Sequence, residues 1–177
     1  MQAYRRNRVP GGTYFFTVTL LDRDSDLLVR EISALREAVR RVRVRSPFHI
    51  DAWVVLPEHM HCVWTLPEWD TDFAGRWHRI KMAFSNAVPM GEARSPVMVA
   101  RGERGIWQRR YWEHTIRDER DYVTHMDYTH FNPVRHGLAA TPSDWPFSSF
   151  RRRVAQGLYP PGWMGGERTP AEAGERA

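Results

Sequence analysis

The sequence predicts an α+β fold, an antiparallel sheet backed by two helices, with a further helix beyond the sheet. Three observations predict it. Runs rich in aromatic and β-branched residues alternate with stretches of three- and four-residue apolar spacing, in the order strand–helix–strand–strand–helix–strand. The two middle runs meet at a two-residue corner, Pro57-Glu58, as antiparallel neighbours do. The chain has 177 residues, 42% of them hydrophobic, which is enough for one well-filled core.

Taken in order, Tyr4-Arg5-Arg6-Asn7-Arg8 is a basic lead-in, turned by Pro10-Gly11-Gly12. Thr13 to Leu21 is the first strand. From Leu27 to Val44, Leu28, Ile32, Leu35, Val39 and Val42 mark an amphipathic helix whose arginines, from Arg36 to Arg43, face solvent. Phe48 to Leu56 is the second strand, and its unbroken run Ala52 to Leu56 suits a central position in the sheet. His59 to Leu66 is the third. Asp72 is an N-cap for a second helix along Phe73, Trp77, Ile80, Phe84 and Ala87, with Arg76, Arg79 and Lys81 on its exposed face. Pro89 to Gly105 has no clean period and is expected to be a loop, tolerated at the surface. Ile106 to Ile116 alternates as a fourth strand. Asp118 caps a third helix from Glu119 to about Asn132, which Pro133 ends. This order is the ferredoxin-like arrangement, which RNA-recognition modules share. One domain over 1–164 is expected, with a disordered tail over 165–177.

Composition narrows the class. The formal charge is +5 and Lys81 is the single lysine, so the other basic side chains are arginines. Arginine binds phosphate through a planar fork and stacks on bases; genomic base composition would also enrich it. Trp69 and Tyr111 are candidates to stack a base, or else core material. No apolar run is long enough to span a bilayer, and the N-terminus has no signal-peptide stretch. The single cysteine, Cys62, excludes an internal disulfide. A cytoplasmic protein is expected.

The chemistry lies in two pieces. On a strand, His59 and His61 share a face with their Cα atoms ~6.5 Å apart, while Met60, Cys62 and Trp64 face a core. Two imidazoles so placed can close on one divalent ion, although surface or core histidines are the commoner case. Tyr128 and Asn132 lie four apart on one face of the third helix, with His125 a turn earlier; there Tyr128 packs its ring and Asn132 caps the helix, or the two join the histidines. A helix laid across the sheet would bring Asn132 to the ion as an oxygen ligand, with Tyr128 one turn away. A divalent ion polarising a phosphate would give the weak phenol nucleophile its target. The product would be a covalent phosphotyrosine, with the strand able to be rejoined. A metallohydrolase using an activated water would leave Tyr128 without a role, and Glu58 would point away from His59 on a regular strand. His130 should face away from Tyr128.

These residues resemble a known family. Pro57-Glu58-His59-Met60-His61 is similar to the His-hydrophobic-His motif of the HUH endonucleases, and Asp127 to Gly137 to the tyrosine motif of the single-tyrosine transposases. The blocks Tyr4 to Val18, Trp107 to His114 and Asp144 to Ser149 narrow the likeness to the REP-associated tyrosine transposases, from about Tyr4 to Trp163. The resemblance implies metal-dependent cleavage and rejoining of single-stranded DNA at repetitive extragenic palindromic hairpins. His59, His61 and Asn132 would hold Mg²⁺ or Mn²⁺, and Tyr128 would keep the 5′ phosphate. Insertion-sequence relatives carry Gln where Asn132 stands, so the shorter Asn needs a closer helix or a bridging water. They act as dimers, whereas this subgroup is expected to be monomeric. Pro89–Gly105 is an insertion relative to compact members. Arg5, Arg6 and Arg8, with Arg151, Arg152 and Arg153, are the expected DNA grip. The alternative is a domesticated, non-catalytic module that binds palindromic DNA or RNA; a decayed enzyme would be expected to have lost a site residue, and all four are present.

Overall fold

A computed structural model describes residues 7–165. Arg5, Arg6 and the tail expected to be disordered, from residue 166 on, lie outside the described residues. The sheet holds β1 (Thr13–Thr19), β2 (His49–Val55), β3 (His59–Thr65) and β4 (Trp112–Thr115), all antiparallel, in the order β2-β3-β1-β4. That is the ferredoxin-like order the pattern predicts. Its first face is covered by α2 (Ile32–Arg45), which the one-turn α1 (Leu27–Arg30) precedes, and by α3 (Phe73–Ala87). Met60, Cys62 and Trp64 point into this core beside Phe16, Phe73 and Trp77, all fully buried. Across the second face runs α5 (Glu119–Arg135), packed on β2 and β3.

Several expectations need correction. β2 lies at the sheet edge, not the centre. Its apolar run is nevertheless buried, because the segment before α6 (Phe150–Ala155) closes the free edge: the Val55 N–H donates to the Phe147 carbonyl, and the Ser149 N–H to the Trp53 carbonyl. The predicted first helix breaks at Glu31, which separates α1 from α2. The fourth strand is short; Trp107 makes only an isolated bridge to Leu20 before Trp112 joins β1. Arg76 is buried rather than solvated, because it stands on the apolar stripe between Phe73 and Ile80; its guanidinium bonds Asp70 and the carbonyls of Ser46, Pro47 and Asp72. Lys81 is half-buried, its Nζ donating to the Gln108 carbonyl. The 89–105 segment contains a one-turn helix, α4 (Pro96–Ala100); Arg104 folds it on itself through Glu92 and the Pro89 carbonyl and ties it to the Val88 carbonyl at the end of α3.

Pro133 does not end α5. The helix runs on to Arg135 and stops at Gly137, whose φ is 68°. Leu138 N–H donates to the Pro133 carbonyl and Gly137 N–H to that of Val134, the paired bonds of a left-handed glycine cap. The extra turn positions His136.

Candidate active site

The strand pairing aims the histidines. Thr17 of β1 pairs with His61 and Thr19 with His59, so both rings rise on the α5 face. They are 0% and 1% exposed, and their centres are 4.9 Å apart. Two imidazoles bound to one ion at about 2.1 Å, with about 90–110° between the bonds, have ring centres roughly 4.6–5.3 Å apart. The pair therefore has the spacing of a shared ligand set.

Each Nδ1 is already engaged. His59 Nδ1 lies 2.7 Å from Glu58 Oε1, and His61 Nδ1 lies 2.8 Å from Thr17 Oγ1. A carboxylate only accepts, so His59 carries its proton on Nδ1 and leaves the buried Nε2 as a lone pair. A second partner that fixes ring and tautomer is the usual support of a metal-ligating histidine. Burial pushes the Glu58 carboxyl up, but the hydrogen bond and charge of His59, with Arg23, bring it below the ordinary glutamate value. Glu58 thus corrects an expectation. It sits in the corner before β3, where strand alternation does not yet apply, and it reaches His59 instead of facing away.

The helix supplies the rest. The Tyr128 ring lies 5.3 Å from His61 and 5.9 Å from Phe15, and Tyr128 is 5% exposed. The His136 ring lies 5.2 Å from His59. Tyr128, Asn132 and His136 are successive four-residue steps on α5, forming one stripe. Since both ends of the stripe touch the histidine pair, Asn132 in the middle faces it. Asn132 is fully buried, including its Oδ1. Arg135 Cζ lies 5.3 Å from the Tyr128 ring centre, putting a positive charge beside the phenol. His130 turns away as expected, its Nε2 3.0 Å from Ser149 Oγ; burial, then the charges of Arg153 and Arg152, push it down to about 3.

Sequence reasoning brought His59, His61, Tyr128 and Asn132 together, left His136 between proton transfer and packing, and missed Thr17 and Arg135. Thr17 is recognisable only once the β1–β3 register is known. His136 and Arg135 needed a helix that continues past Pro133.

The basic arms lie elsewhere. Arg8 is exposed and precedes β1, while His59 pairs with the last residue of that strand, about 20 Å away at seven residues. Arg151 and Arg152 are exposed on α6, and Arg152 Nη2 reaches the Ile50 carbonyl at the same end of the sheet as Arg8. Arg153 does not fit the expected DNA grip. It is buried, with its guanidinium on the Asp51 and Ile50 carbonyls. Trp69 is 84% exposed. It lies next to Asp70, whose carbonyl accepts from Gly11 N–H. A Cβ at Gly11 would meet Glu68 Cα at 2.9 Å, so this contact needs glycine. Tyr111 packs against Phe16 and Trp77 in the core.

No family model matches the chain. It is 51% identical over 176 residues to the REP-associated tyrosine transposase of Escherichia coli (strain K12), covering 99% of this chain and 98% of that one. It is 41% identical over 167 residues to a protein of Haemophilus influenzae named as a putative REP-associated tyrosine transposase, covering 93% and 94% respectively. A solved structure of a REP-associated tyrosine transposase bound to a REP hairpin superimposes with a TM-score of 0.85 at 50% identity, over 100% of this chain and 99% of that one.

Proposed function

This chain belongs to the REP-associated tyrosine transposases, DNA-processing enzymes of the single-tyrosine HUH type, and we propose that it cleaves and rejoins single-stranded DNA at REP hairpins through Tyr128, with Mg²⁺ or Mn²⁺ held by His59, His61 and Asn132. The observation that carries the proposal is the α5 stripe lying on the histidine pair, with Tyr128 5.3 Å from His61. The donor set fits a divalent ion. Both Nδ1 atoms are engaged, so the Nε2 atoms would hold the ion, and Asn132 would add a neutral oxygen. When bound, the ion would polarise the scissile phosphate and balance its charge.

The residues divide the work. Glu58 and Thr17 orient the two imidazoles. Tyr128 Oη attacks phosphorus and loses its proton; the bond to the 3′ oxygen breaks, and that oxygen takes up a proton. The 5′ phosphate stays on Tyr128, and attack by a 3′ hydroxyl reverses the step. Arg135 supports the negative charge passing between phenol and phosphate. Arg8, Arg151 and Arg152 hold hairpin phosphates at the far end of the sheet, and Trp69 offers a ring there for stacking. At neutral pH Glu58 is ionised, as this needs.

The test is covalent trapping. Hairpin DNA from host repeats is incubated with the protein and Mn²⁺, and adducts are read on a denaturing gel. An adduct carried on the 5′ phosphate, lost both without metal and in Tyr128→Phe, is expected. Arg8→Ala/Arg151→Ala/Arg152→Ala should weaken hairpin binding and flatten its salt dependence, because fewer counterions are released; an unchanged slope removes those arginines from the interface. Tight hairpin binding with no adduct under any metal would instead make the chain a non-catalytic binding module.

A further inference from the structure

A second cluster of metal-ligand side chains lies at the start of α5, apart from the histidine pair. Asp121 and His125 are one turn apart on the helix, and His114 reaches them from β4. His114 Nε2 is 2.8 Å from Asp121 Oδ2, and His125 Nδ1 is 3.1 Å from Asp121 Oδ1. One ligand atom from each of the three lies within 4.8 Å of the others. The two rings lie 4.6 Å apart between centres, with 17° between their planes.

His125 is the buried member of the cluster, 3% exposed. Its Nδ1, the nitrogen that faces Asp121, also lies 2.9 Å from the Asp121 carbonyl one turn back, so an ion at the cluster would meet this ring through Nδ1 and leave its proton on Nε2. Burial, the largest cause, favours the neutral form of this imidazole, against the opposing bond to the Asp121 carbonyl. The Asp121 carboxyl is pushed up by burial but brought below its ordinary value by bonds from His114 and the Arg117 N–H and by the charges of His114 and His125.

We propose that His114, Asp121 and His125 form a second divalent-metal site, with water in the remaining positions. Two imidazoles and one carboxylate suit a borderline ion such as Zn²⁺ or Co²⁺. Of the three side chains His114 is the most exposed, at 26%, and the 75% exposed Arg117 lies 3.4 Å from Asp121 Oδ2. An ion here joins β4 to the first turn of the helix that carries Tyr128. It would clamp that helix to the sheet without touching the reacting phosphate. The proposal stands independently of the ion at His59 and His61.

The test uses the full chain carrying His59→Ala/His61→Ala, which leaves the second cluster as the metal site. After chelator treatment and dialysis it is titrated with Co²⁺, read by visible absorption, and with Zn²⁺, read by metal content and melting temperature. One ion per chain and a Zn²⁺-dependent rise in melting temperature are expected. Adding Asp121→Asn or His114→Gln should weaken binding by more than the about 10- to 100-fold that loss of an outer-shell partner costs. Absence of a stoichiometric ion in the first variant overturns the proposal. So does binding unchanged by the added substitution, and the cluster is then only a hydrogen-bonded tie. Should the added substitutions fail to fold, the stoichiometry and melting shift of the first variant decide.

Discussion

The two faces of the sheet are built from different materials. Under α2 and α3, Phe16, Trp53, Trp64 and Trp77 stack into an aromatic core, with Trp64 and Trp77 4.3 Å apart between ring centres. Under α5, the buried apolar cluster is small, formed by Phe15, Ala52, Val63, Met126 and Tyr128. It shares its space with buried Thr17, His59, His61, His125, Thr129 and Asn132. Burying polar groups lowers stability unless each finds a partner, so the α5 face gives little to folding for the area it covers. The first face holds the sheet rigid enough for the second to place its polar atoms.

The contrast can be broken most strongly from the aromatic side. Trp64→Ala should cost about 3–5 kcal/mol of stability and lower the melting temperature sharply. Below that temperature the folded fraction should keep its metal affinity, because Trp64 faces away from His59 and His61. A loss of metal binding out of proportion to the folded fraction would mean that the faces are not separable. On the polar side the order of effects reverses. Glu58→Gln leaves the core intact but removes the charge that fixes His59, so metal affinity should fall about 10- to 100-fold with little change in melting. Calorimetric titration with Mn²⁺ beside a thermal melt reads both.

A smaller effect sharpens the comparison through pH. The folded-state value of His130, about 3, is below its unfolded value. The unfolded chain therefore binds the proton first, and stability present above about pH 6.5 is lost as pH falls toward 3. His125, also shifted down, acts in the same direction. Each group can contribute up to about 1.4 kcal/mol per pH unit. Melting temperature measured from pH 7 to pH 4 should fall, and His130→Gln should flatten the slope; an unchanged slope would place His130 outside the account.

Much of this division is legible in the sequence. Period-two alternation in His59-Met60-His61-Cys62 separates ligands from core before any coordinates, and the i, i+4 spacing of Tyr128 and Asn132 puts them on one stripe. Where the reading fails, a distant segment is responsible. β2 reads as central because it is apolar on both faces, yet the Trp145–Ser149 segment covers its edge from almost a hundred residues away. Arg153 reads as a DNA contact because it belongs to an arginine run, yet α6 turns it onto β2 carbonyls. Glu58 is misplaced by one residue of strand boundary, and Pro133 by a helix that tolerates it in the last turn. Local pattern gives faces and stripes; it does not give which loop closes an edge.

The central claim is that the α5 face carries chemistry while the opposite face carries the fold. The most direct measurement is the single-turnover cleavage rate of hairpin DNA by His59→Ala/His61→Ala at saturating DNA and Mn²⁺, on protein shown to be folded. Losing several kcal/mol of transition-state stabilisation should slow cleavage by on the order of a thousandfold. A folded variant that cleaves within tenfold of the parent would contradict the claim and leave the buried histidine pair without its assigned work.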